Sequence, residues 1–376
     1  MSKTMTYLKA QQDDMVETLR RWVNHDSPTF NKEATDSMGQ LIARTFEETG
    51  AHLQTHPQEK YGNHHTLIWR YPGATEQILL LGHFDTVWPD GEAVRRPFRV
   101  ENGIATGPGS NDMKVGLVLV LFAMRSIQAL NLKPAKNIAL VLNSEEEISS
   151  PTSRPIIEAE AERSRYALVL EPAREGNLIT WRKGIGRFEM TITGKAVHAG
   201  VEPEKGISAI EELARQILEL HAMSAPQRGI SVNVGVVNGG TRSNVVAAKA
   251  KALIDLRVKT QADGERMVKA ILNLQPKLPG ADLEISGKLS RPPFEETPAG
   301  LLLFKKAQGI AAELGFKIGK IGTGGGSDGN FSAALGIPTL DGLGNVGSGS
   351  HALSEHTVVD TFPQRAALLA ELMLAL

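Results

Sequence analysis

The chain has no cysteine among its 376 residues. That excludes disulfides, thiol catalysis and zinc–thiolate sites, so any metal it holds must be bound by histidine, aspartate and glutamate. No apolar run approaches the ~20 residues that span a bilayer. The stretch Met1 to Ala10 has no apolar core of signal-peptide length. These absences lead us to expect a cytoplasmic protein with no membrane partner. An excess of charge of one sign is missing too. The formal net charge is −1, which gives no electrostatic footprint for nucleic acid. No internal repeat and no low-complexity tract was found along the chain.

What is present is a large apolar reserve, 41% of residues, in a chain long enough for two or three domains. The most informative stretch is Leu79-Leu80-Leu81-Gly82-His83-Phe84-Asp85-Thr86-Val87. An apolar run ends in a histidine and an aspartate two residues apart. Side chains alternate along a strand, so His83 and Asp85 share one face at its carboxyl end. In open α/β sheets that end is where ligands sit. A carboxylate beside a histidine can orient it for a metal, although a hydrogen-bonded histidine near a turn reads equally well from this pair alone.

Taken in order, residues 5–24 read as one helix, with Met15, Leu19 and Trp22 at helical spacing. A second amphipathic helix covers Thr35 to Thr49, closed by Gly50. Strands follow at Thr66 to Trp69 and Ile78 to Leu81. Gly107 to Lys114 is a glycine-rich loop before an apolar helix from Val115 to Leu130. It lacks the Gly-Lys-Ser/Thr of a Walker phosphate site. Asp112 stands at the helix entrance, where it could serve as an N-cap. Ile138 to Leu142 is a buried strand running into Ser144-Glu145-Glu146-Glu147. Either that acidic loop is simply solvated, or some of it faces a cation and one carboxylate serves as a base. Tyr166 to Leu170 is another apolar strand ending in Glu171-Pro172. Strand or loop ends thus deliver His83/Asp85, Asp112, Glu146/Glu147 and Glu171. Hard ligands repeated at strand ends point to a metal site in an α/β sheet. His64, His65 and His356 read as loop or surface groups.

The texture changes after about residue 180. Strands at Gly186 to Gly194, Ile230 to Val237, Lys249 to Lys259 and Leu283 onward alternate with helices at Ile207 to Met223 and Gly264 to Leu274. This is the strand–helix–strand–strand–helix–strand order of a ferredoxin-like domain. It reads as inserted into the first domain, because the α/β texture then resumes. Gly300 to Gly315 is a helix. Thr323 to Asn330 is a glycine-rich loop opening another, Ile337 to Leu340 a short strand, Gly342 to Ser350 a glycine-rich run into His351, and Thr361 to Leu376 a closing helix.

Together these stretches resemble the two-zinc aminoacylase/carboxypeptidase family, which includes glutamate carboxypeptidase, acetylornithine deacetylase, succinyl-diaminopimelate desuccinylase and peptidase T. The resemblance covers essentially the whole chain. Its strongest pieces are Gly82 to Val87, Gly107 to Lys114, Asn143 to Ser150, Glu171-Pro172, His198-Ala199-Gly200 and Gly324 to Asp328. Glutamate carboxypeptidase looks closest, from Arg291-Pro292-Pro293-Phe294 and Thr323 to Asp328. The resemblance implies an α/β catalytic domain, 1–181 and 292–376, with a central mixed sheet flanked by helices. It also implies an inserted ferredoxin-like α+β dimerisation or lid domain, 182–291.

Carried over residue by residue, the family pattern implies that Asp112 bridges two zinc ions. His83 and Glu171 would complete one site, Glu147 and His351 the other. Glu146 would be the general base, with Asp85 holding the ring of His83. The family's Asn-Thr-Asp-Glu-Glu pattern aligned on Asn143 places Glu145 outside the ligand set. His198 would reach across a homodimer to hold the oxyanion in the neighbour's site, although by itself it reads as a turn histidine. Asn244, Arg257 and Arg291 are candidates for a substrate carboxylate, since arginine binds carboxylates bidentately, and Gly325, Gly326 and Ser327 for backbone N–H groups lining the pocket. Two positions depart from the pattern. Val115 stands where the family commonly has glycine, and Asn177 where glutamate carboxypeptidase looks to have a lysine, so a preference for C-terminal glutamate does not follow. The expected activity is zinc-dependent hydrolysis of an amide next to a free carboxylate, in a small peptide or N-acyl amino acid, with Co2+ or Mn2+ as substitute metals. An N-acyl-amino-acid deacylase or dipeptidase is the same-class rival. A metal- or peptide-binding protein without catalysis, and a structural dimer with merely solvated acidic loops, are the others.

Overall fold

The structure, a computed structural model, describes residues 2–376. It separates into two compact units, one of Met1–Trp181, Glu296–Thr323 and Ser327–Leu376, the other of Arg182–Glu295 and Gly324–Gly326. No helix among the described residues is long and apolar enough to cross a membrane.

The larger unit is built on a six-stranded mixed sheet in the order His52–His56, His64–Trp69, Asn137–Asn143, Gln77–His83, Tyr166–Val169, Thr339–Leu340. The first two pairings are antiparallel and the rest parallel. The central strands are unbroken apolar runs because both of their faces are covered. Ile78 and Leu80 pack on one side with the Lys114–Ala129 and Phe362–Ala375 helices, while Leu79 and Leu81 pack on the other with Ile157, Ala161 and Phe331. Leu119, in the middle of the covering helix, is fully buried; truncating such a side chain costs about 2–5 kcal/mol. Gly116 lets this helix approach the sheet, since a Cβ there would lie 2.2 Å from the Leu170 carbonyl oxygen. Its neighbour Val115 is an ordinary core residue.

Register fixes where the strands end. His83 lies opposite Asn143, and Leu81 opposite Val169. Three adjacent parallel strands therefore release their following residues, Phe84-Asp85, Ser144 to Glu147 and Leu170-Glu171, at one edge. A second sheet, Gly347–Ser348, His356–Val358, Ile104–Thr106 and Arg99–Glu101, is antiparallel throughout. It puts the loop leading to Asp112 beside the loop that holds His351.

The smaller unit is an antiparallel sheet in the order Ser231–Gly239, Lys249–Val258, Gly184–Thr193, Asp282–Arg291. That spatial order with two crossover helices, Ala209–Ala222 and Gln261–Leu272, is ferredoxin-like. Ala250, Ala252, Ile254, Leu256 and Val258 alternate inward against both helices. Ser208 and Thr260 cap those helices by accepting the Glu211 and Asp263 N–H groups.

Two expectations need correction. The helix read over residues 5–24 is two, Lys3–Ala10 and Gln12–Val23, divided at Gln11. His64 and His65 are not loop or surface groups. They lie in the His64–Trp69 strand and are buried.

Candidate metal centre

The strand and loop ends bring all five of the proposed ligands together. His83 is 1% exposed. Its Nε2 is 3.2 Å from Asp112 Oδ1 and 3.4 Å from Glu171 Oε1. Its Nδ1 is 3.3 Å from Asp85 Oδ1 and 3.1 Å from the Asp85 carbonyl oxygen. His351 Nε2 lies 2.9 Å from Glu147 Oε2 and 3.4 Å from Asp112 Oδ2. Asp112 thus offers one carboxylate oxygen to each histidine. It does not cap the following helix, whose N-cap position is Met113. Ligand atoms of His83, Asp112 and Glu147, and those of His83, Glu146 and Glu171, lie within 4.8 Å of one another.

Electrostatics at this spot are those of crowded carboxylates. Burial would lift Asp112, but the His351 and His83 imidazoles hold its carboxyl well below the usual range. Burial pushes Glu147 up to about 7, opposed by His351 and reinforced by the Asp112 charge. Asp112 and Glu147 push His351 up to about 11. Burial works against the charged form of His83, but Asp112, Asp85 and Glu171 outweigh it and raise it well above its ordinary value. Divalent cations neutralise the same negative charge and displace the imidazole protons when they bind. Two imidazole nitrogens, several carboxylate oxygens and no sulfur suit zinc, cobalt or manganese. The donor set fits a pair of such ions.

Asp85 is fully buried and holds more than the His83 ring. Its Oδ1 accepts the Glu146 N–H at 3.1 Å, and its Oδ2 accepts the Glu147 N–H at 3.3 Å and the Thr29 hydroxyl at 2.8 Å. It therefore sets the backbone that presents Glu146 and Glu147. Glu145 turns the other way. Its Oε1 accepts the Thr152 hydroxyl and the Ser153 N–H at 3.0 and 2.8 Å, so its carboxylate anchors the next loop instead of joining the ligands.

Sequence reasoning missed Glu355. This carboxylate is buried and accepts four hydrogen bonds, from Trp88 Nε1 and the N–H groups of Gly109, Asn111 and Asp112. It also missed Lys114, whose buried ammonium donates to the Trp22 and His25 carbonyls at 3.0 and 2.8 Å. Burial lowers it to about 8. Neither carried a signal in sequence, because apart from the Trp88 indole their partners are backbone groups, which leave no mark on residue type.

The remaining candidates lie elsewhere. In the smaller unit, His198 is exposed and its Nδ1 accepts the Gly200 N–H at 3.1 Å. The exposed Asn244 is its neighbour, and its carbonyl accepts the Ala199 N–H at 3.0 Å. Arg257 pairs with Asp255 at 2.8 Å and donates to the Gly324 carbonyl at 3.3 Å. Arg291 is buried, and a Cβ on Gly326 would meet its Cδ at 2.9 Å. Gly325 is exposed. Ser327, in the larger unit, does not present its backbone N–H to a pocket. That N–H bonds to Asn330 Oδ1 and its hydroxyl to Asp341 beyond the Thr339–Leu340 strand, so both groups are already engaged. Asn177, the departure noted above, accepts the Gly319 N–H at 2.7 Å and so joins two loops.

The model of "Peptidase family M20/M25/M40" matches residues 79–375. Carboxypeptidase G2 of Pseudomonas sp. (strain RS-16) is 29% identical over 373 residues, covering 97% of this chain and 90% of that protein. Among solved structures, aminopeptidase PepT from Bacillus cereus superposes with a TM-score of 0.80 at 21% identity, covering 96% of this chain and 98% of that one. The M20 family metallo-carboxypeptidase Sso-CP2 from Sulfolobus solfataricus superposes with a TM-score of 0.74 at 17% identity, covering 96% and 98%.

Proposed function

The chain belongs to peptidase family M20/M25/M40 and is a metallopeptidase, and from that premise we infer that it is a two-zinc hydrolase cleaving an amide next to a free carboxylate. The observation that carries the reading is Asp112, which sets one oxygen toward His83 and the other toward His351 with Glu146 alongside. We assign His83, Asp112 and Glu171 to one zinc, and Asp112, Glu147 and His351 to the other. Ions held by these residues would supply an acidified water and a Lewis acid for the scissile carbonyl. Glu146 takes the water's proton and passes it to the leaving amine. Asp85 fixes the His83 ring from one side and the Glu146 and Glu147 backbone from the other. His198, presented by a neighbouring subunit, would donate to the oxyanion, a contribution of roughly 3 kcal/mol in comparable sites.

All of the assigned ligands and the base lie in the larger unit, so we give it the chemistry. To the smaller unit we give substrate carboxylate recognition, through Asn244, Arg257 and Arg291, and the pairing of subunits. Support for a homodimer comes from Ser231–Gly239, an edge strand with Val236 and Val237 exposed, beside a helix exposing Ile210 and Leu218. Edge strands left open in this way invite a partner. The expected substrates are N-acyl amino acids or short peptides of the kind a glutamate-carboxypeptidase-like enzyme takes. A deacylase or dipeptidase would use the same residues and differ only in the groups it prefers. The test is elemental analysis of the purified protein, then hydrolysis of a panel of N-acyl amino acids and dipeptides before and after chelation. Near two zincs per chain with chelator-sensitive cleavage is expected, and the best substrate names the subclass. Metal-free protein with chelator-insensitive cleavage would overturn the reading.

A further inference from the structure

We propose that Glu355 is a positioning residue for the metal centre, holding three ligand-bearing segments in register through one carboxylate. The inference rests on the metal centre described above and extends it. Glu355 Oε1 accepts the N–H groups of Asn111 at 2.9 Å and Asp112 at 3.0 Å, and Oε2 accepts Gly109 N–H and Trp88 Nε1–H, each at 3.0 Å. An ionised carboxylate has about four acceptor positions, and here four donors fill them. The side chain is 1% exposed, so water does not compete for them.

The donors come from separate parts of the chain. Trp88 lies three residues beyond Asp85, on the segment that leaves the His83 strand. Gly109, Asn111 and Asp112 form the loop that presents the bridging carboxylate. Glu355 itself sits four residues after His351, on the loop between the Gly347–Ser348 and His356–Val358 strands. A contact between Asn111 Nδ2 and Ser350 Oγ at 3.3 Å joins the last two segments a second time. Arg96 stacks 4.0 Å over the Trp88 ring and donates to the Leu353 carbonyl at 3.4 Å, bracing the same group from outside.

The chemistry requires a carboxylate. An amide of the same shape has a single acceptor oxygen, and its NH2 would face two N–H donors. Releasing the Asp112 N–H would let its carboxylate turn, and that carboxylate faces both histidines. Loss of Glu355 should therefore weaken both metal positions together. Glu212 in the smaller unit supplies the control. It too is a buried glutamate accepting backbone N–H groups, from Lys277 at 3.0 Å and Leu278 at 2.7 Å, far in sequence from any proposed ligand.

The experiment uses full-length wild type, Glu355→Gln and Glu212→Gln, stripped of metal. Each is titrated with zinc against a chromophoric chelator, and with Co2+ while its visible spectrum is followed. Melting of the metal-free proteins is recorded alongside. We expect Glu355→Gln to lose about 10–100-fold in zinc affinity at both positions, with an altered cobalt spectrum. Glu212→Gln should melt lower with unchanged zinc affinity and spectrum. If both variants melt lower and both bind zinc as wild type does, Glu355 is only a structural clamp and the proposal is overturned. Should Glu355→Gln fail to fold, Trp88→Phe removes one donor of the four and keeps the carboxylate. Weakened zinc binding there supports the role, and unchanged binding overturns it. Wild-type protein that takes up neither ion overturns the metal centre itself, and this role with it.

Discussion

His83 and His351 address the same aspartate from two kinds of scaffold. His83 ends a strand covered on both faces, is 1% exposed, and has its second nitrogen 3.3 Å from the buried Asp85 carboxylate. His351 stands on a loop, at φ 64°, with its side chain 53% exposed. The bonds that set its ring are those to Glu147 and Asp112 themselves. One half of the centre is therefore built in advance by sheet packing. The other depends on a loop being held, and Glu355 carries most of the hydrogen bonds described above that tie that loop to the rest. Preorganisation lowers the cost of binding, so the His83 half should hold its ion more tightly.

The largest effects come from deleting each histidine. His83→Ala should empty the centre and abolish cleavage, whereas His351→Ala should retain close to one ion per chain. Metal content by mass spectrometry decides it; equal losses would erase the distinction between the halves. Next is Glu146→Gln, which leaves both halves their ligands. Turnover should fall by about 10²–10⁴-fold, the usual worth of a general base, at unchanged metal content, as read by steady-state kinetics on zinc-loaded protein. A smaller effect follows from Asp85→Asn. Zinc affinity should drop by about 10–100-fold, mainly at the tighter His83 half, so the two phases of a competition titration should draw together.

The smallest effect is on stability and concerns the sheet that carries the rigid half. His64 and His65 are buried in it, and desolvation lowers each from 6.5 to about 4. Between those values the unfolded chain binds protons that the folded chain refuses. Stability is therefore full above pH 6.5 and declines as pH falls toward 4, by on the order of 3 kcal/mol at most for each histidine. Chemical denaturation of metal-free protein at pH 7 and pH 5 measures this, and His64→Gln should flatten the dependence.

Much of this centre is legible in the sequence alone. Strands buried on both faces must be continuous apolar runs, so Leu79 to Leu81, Ile138 to Leu142 and Ala167 to Leu170 stood out, and the polar residues ending each run stood out with them. The alternation of Ala250 to Val258 announced a sheet with one covered face. Other elements left no such mark. The Gly347–Ser348 and His356–Val358 strands are too short to show a period, so the sheet that sets the His351 loop was invisible. His64 and His65 looked like surface groups because their partners, Thr152 and Thr55, are chosen by the sheet. Within Glu145-Glu146-Glu147, three identical side chains have no local preference. Hydrogen bonds from Thr152 and Ser153 take Glu145 away, and Asp85 sets the backbone of the other two.

By itself, the sequence determined the metal chemistry and the order of the elements. Ligand type is a property of single residues, and strand or helix identity follows from short-range apolar spacing. Tertiary structure alone decided which oxygen of Asp112 meets which histidine, which groups hold Glu145 away from the site, and that Glu355 ties three segments together. These depend on directional hydrogen bonds of about 3 Å between residues far apart in the chain, and no pattern along a sequence encodes a distance across a fold.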